Sequence, residues 1–305
     1  MTRVAVVVLN WNGGAQTDAC IESIRAQGTP NTVIVLVDNH SAAAAREALH
    51  RRYGGAPDVQ LYVLDDNRGY AGGNNVGIRV ALATGADAVL ILTQDATLGA
   101  GALQAMVDTA AADGRIGIVG PMVVDARDPQ QVLSTGERLH AALLCVPRTL
   151  LRHRRTRPPA FPVGGVLGCA MLLTRRCLET AGVFDEDLFA YYEEVDLCLR
   201  VRRHGFAIVC APQAVVAHDG LRGFLRGFTT LSAELKARNL PRVMRRWAAP
   251  IDWLILAPTY VLLLVGSVVL YALRGRMDIV GALARGTVAG LRRRGGPLHV
   301  AAPAS

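Results

Sequence analysis

Four short apolar runs, each followed within three residues by asparagine or aspartate, restrict the possible folds of this chain more than any other feature. They are Val4–Leu9, Thr32–Val37, Val59–Leu64 and Ala88–Leu92, and residues with helical spacing occupy the stretches between them. A continuous β-branched and aliphatic run is typical of a strand buried on both faces, as in a parallel sheet. Strands that alternate with helices over short connections predict an α/β fold, with a Rossmann-like, mainly parallel central sheet and helices on both faces.

Polar residues follow each predicted strand, at the edge where parallel strands end together. They are Asn10 and Asn12 after the first run, Asp38 after the second, Asn67 after the third and Asp95 after the fourth. In open α/β sheets the carboxyl ends of the strands form the ligand crevice, so the set predicts one polar site. Each residue by itself is equally compatible with a turn or a helix N-cap.

Charge and cysteine content narrow the partners and the compartment. The formal charge of +8 comes almost wholly from arginine, since Lys236 is the single lysine. Basic residues cluster at 148–157, 242–246 and 292–294, which suits phosphorylated substrates or anionic lipid. Nucleic acid is not an expected partner, because no known binding motif accompanies the clusters. The six cysteines form no C-x-x-C pair and no signal peptide is evident, so we expect reduced thiols and a cytoplasmic N-terminal domain.

An uncharged stretch of 21 residues, 253–273, lies near the C-terminus. Its length matches the roughly 20 residues needed to cross a bilayer, and Trp253 and Tyr271 stand near its ends as interfacial aromatic residues do. We therefore expect this segment to hold the protein at the cytoplasmic face of the cell membrane, with membrane lipids as partners. A buried core helix is the alternative interpretation.

The topology of that attachment stays open at this level. A single span, a hairpin that returns through Met277–Leu291 and an in-plane helix all fit the pattern. Asp278 and Arg285 favour an amphipathic surface helix over a second crossing. The basic cluster 242–246 is expected to meet lipid phosphates.

Four motifs together resemble a known family. They are VVVLNWNGG, VDNHS, NRGYAGGNNVG and GVFDEDLFAYYEEVDLCLRVRRHG, in that order, and the resemblance runs from Val4 to about Arg246. In order and spacing they are similar to the inverting glycosyltransferases of family 2, in particular the rhamnosyltransferase-like branch. The resemblance implies a GT-A fold, with a nucleotide-sugar-binding half at 1–120 and an acceptor-binding and catalytic half at 121–240. Membrane-associated helices would follow at 241–305.

The same resemblance implies transfer of rhamnose or a similar sugar from a dTDP- or UDP-activated donor. The acceptor would be a glycan or a lipid-linked glycan in cell-envelope polysaccharide synthesis. Asp38 resembles the family aspartate that contacts the nucleoside, and we expect the glycine-rich stretch Gly69–Gly77 to be a loop whose backbone approaches the ribose and diphosphate. The donor-binding candidates are Asn10, Trp11, Asn12, Asp38, Asn67, Gly69, Asn75 and Asp95.

A diphosphate leaving group calls for charge stabilisation, and a divalent metal, Mg²⁺ or Mn²⁺, is the expected cofactor. Asp95 follows a strand and offers the oxygen ligand that such hard cations prefer. The sequence Gln94-Asp95-Ala96 contains one carboxylate where relatives often have two. By resemblance His218 falls near a family histidine that helps to bind the metal or diphosphate; a surface histidine after a strand is the alternative.

Inversion requires a base for the acceptor hydroxyl, and the acidic segment at 193–196 provides carboxylates for it. Relatives commonly have Glu-Asp where this chain has Glu193-Glu194, which assigns the base to Glu194. Clustered carboxylates raise one another's pKa, which favours a base; an acidic helix N-terminus is the alternative. The acceptor-side candidates are Gly168, Cys169, Glu193 and Asp196.

Two other functions remain in consideration. A nucleotidyltransferase would usually have a basic, glycine-rich loop after the first strand, whereas this chain has Asn-Trp-Asn-Gly-Gly and no lysine or arginine between that strand and Arg25. A membrane-bound protein that binds nucleotide sugars, or serves as a scaffold without activity, is the other alternative. The single Asp95 and the glutamate at position 194 keep it open.

Overall fold

The computed structural model describes residues 2–139, 145–147, 159–219 and 228–292. The basic stretch Arg148–Arg157 and Arg293–Arg294 lie outside the described residues. The strands are β1 (Val4–Asn10), β2 (Thr32–Asp38), β3 (Val59–Val63), β4 (Ala88–Thr93), β5 (Ala96–Leu98), β6 (Ile116–Asp125), β7 (Val132–Ser134), β8 (Glu137–Leu139), β9 (Cys145–Pro147), β10 (Phe161–Pro162), β11 (Ala170–Thr174) and β12 (Ala207–His218). The helices are α1 (Ala15–Arg25), α2 (Ala43–Tyr53), α3 (Gly69–Ala83), α4 (Ala102–Ala111), α5 (Arg175–Ala181), α6 (Glu193–Arg203), α7 (Thr230–Trp247), α8 (Trp253–Leu273) and α9 (Met277–Leu291), with short 3-10 helices at Glu186–Leu188 and Pro250–Asp252.

One ten-stranded mixed sheet runs through both predicted halves of the molecule. Eight strands follow the order β10-β12-β6-β11-β4-β1-β2-β3, and the other two, β5 and β7, pair with β12 and β6. The four strands predicted from the apolar runs, β1 to β4, are all parallel. β11 lies antiparallel between β4 and β6 and joins the second half to the first. The α/β fold with a central sheet is as predicted, and the sheet is mixed, with β1 to β4 parallel. Residue 120 falls inside β6 and residue 240 inside α7, so these elements cross the predicted boundaries.

The central strands are buried on both faces, which explains their continuous apolar runs. On β1, Val4, Val6 and Val8 belong to one core layer and Ala5 and Val7 to the other, and all five are fully buried. Helices α1, α2 and α4 cover the first layer, and α3, α5 and α6 cover the second. The site is therefore built at the carboxyl edge of a rigid, doubly covered sheet.

The glycine-rich stretch Gly69–Gly77 is not the loop expected from the sequence; it forms the first half of α3. Gly69, Gly73 and Gly77 are four residues apart and share one helix face. A Cβ at Gly73 would lie 2.4 Å from Leu9, and one at Gly77 would lie 2.3 Å from Val7. The glycines therefore let α3 pack closely on β1, and the need for that contact outweighs their poor helix propensity.

Candidate active site

Asn10 and Asp38 interlock where the neighbouring strands β1 and β2 end. The Nδ2 atom of Asn10 donates to Oδ1 of Asp38 at 2.7 Å, and its Oδ1 atom accepts from the Thr17 hydroxyl at 2.7 Å. Asp38 also accepts hydrogen bonds from the amide and the hydroxyl of Ser41. Both Asn10 and Asp38 are buried. Their side chains are thus occupied by internal partners that fix the two loops above them.

Trp11 stands at the open side of this network and is 39% exposed. The side chain of Gln94, which follows β4, holds the Trp11 backbone from both ends: Oε1 accepts from the Trp11 amide at 2.7 Å and Nε2 donates to its carbonyl at 3.2 Å. Asn12 accepts at its side-chain oxygen from the Ala42 amide at 2.9 Å. No role was predicted for Gln94. Its position directly before Asp95, after β4, is the sequence feature that could have indicated one.

Asn67 shapes the turn that begins α3. Its Oδ1 atom accepts from the Gly69 amide at 2.8 Å and from Nδ2 of Asn39 at 3.0 Å. The Asn39 side-chain oxygen accepts from the Arg68 amide at 2.9 Å, which closes the loop. Gly69 needs to be glycine, because its φ is +68° and a Cβ would lie 2.4 Å from the Phe189 carbonyl.

Asn75 lies deeper, at the junction of the two halves. Its Nδ2 atom donates to the Phe184 carbonyl and to Oε1 of Glu186, both at 2.9 Å, and its Oδ1 atom accepts from the Phe184 amide at 3.0 Å. The residue is fully buried. The structure therefore places this predicted donor-binding side chain in contacts that tie α3 to the segment leading to Glu193.

Asp95 and His218 meet because β5 pairs antiparallel with the end of β12, with Ala96 opposite His218. Oδ1 of Asp95 lies 3.3 Å from Nε2 of His218, and the two side chains are 32% and 18% exposed. Burial alone raises the pKa of Asp95, but the hydrogen bond and charge of His218, together with the Thr93 hydroxyl, hold it below its ordinary value. One carboxylate oxygen and one imidazole nitrogen thus converge at the crevice.

This pair fits a hard divalent cation that takes its other ligands from water and substrate phosphates. Within the described ranges, no group of three or more histidine, cysteine, aspartate or glutamate side chains is placed to hold a metal by itself. The donor set accordingly suits a cation that binds together with a diphosphate, and not a closed structural site.

Glu193 and Glu194 open helix α6, after a left-handed turn at Tyr191 and Tyr192. Glu193 is buried, and its Oε2 atom has no hydrogen-bond partner among the residues described. Burial and, next, the charge of Glu194 raise its pKa well above the ordinary value. Glu194 is partly exposed, and desolvation raises its pKa as well. The two carboxyl groups thus favour a state in which they share one proton. Glu194 is the accessible member of the pair and is the one that can exchange a proton with a bound substrate.

Lys236 places a positive charge close to this pair. Its Nζ atom lies 4.7 Å from the ring centre of Tyr191 and 4.9 Å from that of Phe228. Burial lowers the pKa of Lys236, while the charge of Glu194 raises it. In the other direction, the charge of Lys236 acts to lower the pKa of Glu194. Lys236 is the single lysine of the chain, but its position near Glu194 could not be predicted from the sequence, because α7 follows α6 only after a long connection.

The segment Gly168–Cys169 joins the donor and acceptor sides. The Thr93 amide donates to the Cys169 carbonyl at 3.0 Å, and the Tyr70 hydroxyl donates to the Gly168 carbonyl at 2.5 Å. A Cβ at Gly168 would lie 3.6 Å from Cβ of Glu194. The predicted acceptor-side residues 168 and 169 therefore lie between β4, which leads to Asp95, and the start of α6.

Two further buried groups hold the acidic segment in place. The Nδ2 atom of Asn239 lies 2.7 to 2.9 Å from the carbonyl oxygens of Leu188, Ala190 and Tyr191, so its two hydrogens are shared among three acceptors. Asp196 accepts from Arg200 at 3.0 Å and from Nε1 of Trp247 at 2.8 Å. Asp196 was predicted on the acceptor side; the structure places it in contacts that fasten α7 to α6. Asn239 was not foreseen.

Comparison with known proteins decides which chemistry this arrangement serves. A family model described as glycosyltransferase like family 2 matches residues 2–248. The chain belongs to glycosyltransferase family 2. It is a glycosyltransferase, as the four motifs indicated.

Its relatives share most of its length. The enzyme N-acetylglucosaminyl-diphospho-decaprenol L-rhamnosyltransferase of Mycobacterium tuberculosis is 28% identical over 273 residues, which cover 81% of this glycosyltransferase and 87% of the relative. The dTDP-rhamnosyl transferase RfbF of Shigella flexneri is 23% identical over 225 residues, 71% of this chain and 69% of the relative. The mannosyltransferase PcManGT from Pyrobaculum calidifontis, solved in complex with GDP-Man and Mn²⁺, superposes with a TM-score of 0.61 at 20% identity, over 96% of this chain and 88% of that chain. The structural match confirms the GT-A fold.

Proposed function

We propose that this glycosyltransferase moves rhamnose or a similar hexose, with inversion, from a dTDP- or UDP-activated donor to a glycan or lipid-linked acceptor in cell-envelope polysaccharide synthesis. The observation that carries the proposal is the partly exposed Glu194 beside Gly168, in a site that also contains the Asp95–His218 pair. The relatives' names support both substrate classes, since one acts on a decaprenol-linked acceptor and another is a dTDP-rhamnosyl transferase.

Donor binding is divided between side chains that face the crevice and side chains that shape it. The exposed ring of Trp11 offers an apolar face to the nucleoside, and Asp95 faces the diphosphate. The internal hydrogen bonds of Asn10, Asp38 and Asn67 support a role in holding the loops. The half of the chain up to residue 120 supplies all these groups, together with Asn12 and Gly69.

Asp95 and His218 are the residues that would hold Mg²⁺ or Mn²⁺ with the donor diphosphate. The cation would offset the negative charge that develops on the leaving diphosphate. Support comes from the convergence of an oxygen and a nitrogen ligand at 3.3 Å.

Glu194 acts as the base on the acceptor side. It takes the proton of the acceptor hydroxyl while that oxygen forms the new bond to the anomeric carbon, opposite the nucleoside diphosphate, whose bond to the sugar breaks. Glu193 holds the shared proton next to it, and Lys236 stabilises the ionised form of Glu194. Gly168 and Cys169 form the acceptor side next to the base, and Asp196 positions α6.

We place the protein at the cytoplasmic face of the cell membrane, held by residues 253–273. Among the residues described, the helical stretch Pro250–Leu273 is the one helix long and apolar enough to cross a bilayer. A lipid-linked acceptor in the name of one relative supports a membrane location.

A donor panel tests the function. Detergent-purified protein is incubated with dTDP-rhamnose, UDP-glucose or GDP-mannose, with and without Mn²⁺, in the presence of a polyprenyl-diphosphate-linked N-acetylglucosamine acceptor. We expect one dTDP- or UDP-sugar to bind by calorimetry and to yield an extended, inverted acceptor. Donor binding without transfer would favour the non-catalytic alternative. Sugar-phosphate-dependent consumption of a nucleoside triphosphate, with no donor binding, would favour a nucleotidyltransferase.

A further inference from the structure

Helix α8 exposes an entirely apolar surface along its whole length. Positions 253, 256, 259, 260, 264, 267, 268 and 271 are covered, and the thirteen other positions of the helix are exposed. Every exposed position carries an aliphatic residue, alanine, glycine or proline; Leu262 is 72% exposed and Leu273 84%. At about 1.5 Å per residue this face is about 30 Å long. A face of this extent requires an apolar environment.

The covered stripe of α8 lies antiparallel along α7. The Tyr260 hydroxyl donates to the Ala237 carbonyl at 3.0 Å, midway along both helices. Near the other end, the Phe228 amide, just before α7, donates to the Tyr271 hydroxyl at 2.6 Å. Leu256 packs in one cluster with Val243 and Met244. The two helices therefore touch through side chains near both ends and in the middle, and α9 shares this packing, since the Thr287 hydroxyl lies 3.1 Å from that of Tyr260.

Helix α9 is locked to the same surface of the protein. A Cβ at Gly286 would lie 2.2 Å from the Glu234 carbonyl, and one at Gly290 would lie 2.5 Å from the Arg238 carbonyl, so the two glycines press α9 onto the α7 backbone. Arg285 pairs with Glu234 at 2.9 Å. This contact makes α9 a cover for α7 and not a second membrane segment.

Helix α7 cannot enter a hydrocarbon layer beside α8. It carries Glu234, Lys236, Arg238 and Arg242 along its length, and Asn239 binds the backbone next to the acidic pair. If α8 crossed a bilayer, these charges and the catalytic segment would be drawn to the bilayer centre, where charged side chains are strongly disfavoured.

We infer that α8 is an in-plane helix whose exposed face docks into one leaflet of a lipid bilayer, while α7 and α9 cover its opposite side. Arg274 and Arg276 after α8, and Arg292 after α9, are exposed and suit anionic headgroups at the edge of this face. A second copy of the chain is a poorer occupant, because the face has no hydrogen-bonding side chain and the flanking arginines of two copies would repel. The inference rests on the proposed membrane attachment and is independent of the sugar transferred.

Vesicle flotation tests the occupant of the face. Protein freed of detergent is mixed with vesicles of phosphatidylcholine and phosphatidylglycerol at a ratio of 7:3. We expect the double variant Leu262→Asp/Val265→Asp to lose at least tenfold in vesicle binding, whereas Tyr62→Asp, at an exposed position of β3, binds as the parent does. The substituted side chains are exposed, so an unchanged circular dichroism spectrum is expected for all three proteins. The inference would be overturned if the parent chain did not float with the vesicles. It would also be overturned if the parent chain formed a dimer instead of binding vesicles and the double variant dissociated that dimer. Either result would contradict both the membrane attachment and the docking of the α8 face.

Cysteine labelling tests the orientation. Ile251→Cys and Arg274→Cys stand at the two ends of α8 and are exposed. In sealed inside-out vesicles from expressing cells, we expect an impermeant maleimide to label both before permeabilisation, above the background of the parent chain. In that chain Cys20, Cys169, Cys177, Cys198 and Cys210 are buried. Labelling of Arg274→Cys only after permeabilisation would show a crossing helix and overturn the in-plane orientation, while attachment and sugar transfer would stand.

Discussion

The Asp95 carboxylate and the His218 imidazole lie 3.3 Å apart, although one follows the fourth strand of the sheet and the other ends the last strand. The short strand β5 creates this contact, because it turns back from β4 and pairs with β12. Asp95 and His218, which were separate candidates for metal binding in the sequence, thus form one group that could act on the diphosphate of the donor.

Asp95→Asn is expected to weaken Mn²⁺-dependent binding of the donor by about one to two orders of magnitude, because it removes the negative charge that we propose as a ligand of the cation. Calorimetry with and without Mn²⁺ measures the effect. Asp113→Asn, an exposed aspartate that pairs with Arg115, is the matched control and should bind as the parent does. If Asp95→Asn and the control bound the donor with equal affinity, the assignment of Asp95 to the donor-binding site would be wrong.

Glu194→Gln is expected to reduce kcat about 10²- to 10⁴-fold, the usual contribution of a general base, with donor affinity retained. Glu179→Gln, at the exposed partner of Arg175, is the control. The base must be ionised and burial raises its pKa, so kcat/KM should rise with pH along a limb displaced above that of an ordinary glutamate. A rate unaffected by Glu194→Gln would transfer the role to another group.

Lys236→Met is expected to move that acidic limb to higher pH. The positive charge lowers the pKa of Glu194, so its removal raises the pKa and leaves less base ionised at a given pH. Lys236→Arg keeps the charge and should restore the limb in part. The measurement is kcat/KM across pH for the three proteins. A uniform loss of rate, with no displacement of the profile, would mean that Lys236 acts only through packing.

Gly77→Ala is expected to destabilise the fold by about 1–3 kcal/mol, the range for overpacking in a core. A Cβ there would lie 2.3 Å from the fully buried, β-branched side chain of Val7, and this clash outweighs the better helix propensity of alanine. Gly55→Ala has open space around its Cβ and should lie within about 0.5 kcal/mol of the parent. Denaturant unfolding of both variants makes the comparison.

Asn239→Leu is expected to leave the carbonyls of Ala190 and Tyr191 without this donor, whereas the Leu188 carbonyl keeps its hydrogen bond from Arg238. The loss of hydrogen bonds to buried groups costs about 1–3 kcal/mol in the free energy of unfolding. We expect kcat to fall with it, because these carbonyls lead into Glu193 and Glu194. Gln104→Leu, which removes an exposed hydrogen bond to Asp108, is the control. Full activity of Asn239→Leu would show that the hydrogen bonds of Asn239 are not needed for catalysis.

The parallel half of the fold was predictable because its strands are buried on both faces and so appear as continuous apolar runs. The start of α3 was not predicted, since glycine is unfavourable in a helix and a run of it favours a loop. The four-residue spacing of Gly69, Gly73 and Gly77 was the available signal for a helix packed closely on β1. The close contact with β1 therefore explains why this glycine-rich stretch is a helix and not a loop.

The candidate site was predicted in its residue types more fully than in their roles. Asparagine and aspartate at strand ends serve a ligand and an internal network equally well, so the sequence could not separate Trp11 and Asp95 at the crevice from the buried Asn10 and Asp38. Lys236 and Asn239 reach the acidic segment from α7, and no local pattern reveals a contact made by tertiary packing.

Helix α7 has α8 on one side, and on the other side its Asn239 binds the backbone next to the acidic segment. A helix with its side chains is about 10 Å across. If α8 rests in the lipid surface, α7 becomes a spacer of fixed thickness between that surface and Glu194. The enzyme would then select acceptors by stand-off distance: a sugar hydroxyl carried about one helix diameter above the lipid is within reach, and one held flush with the headgroups is not.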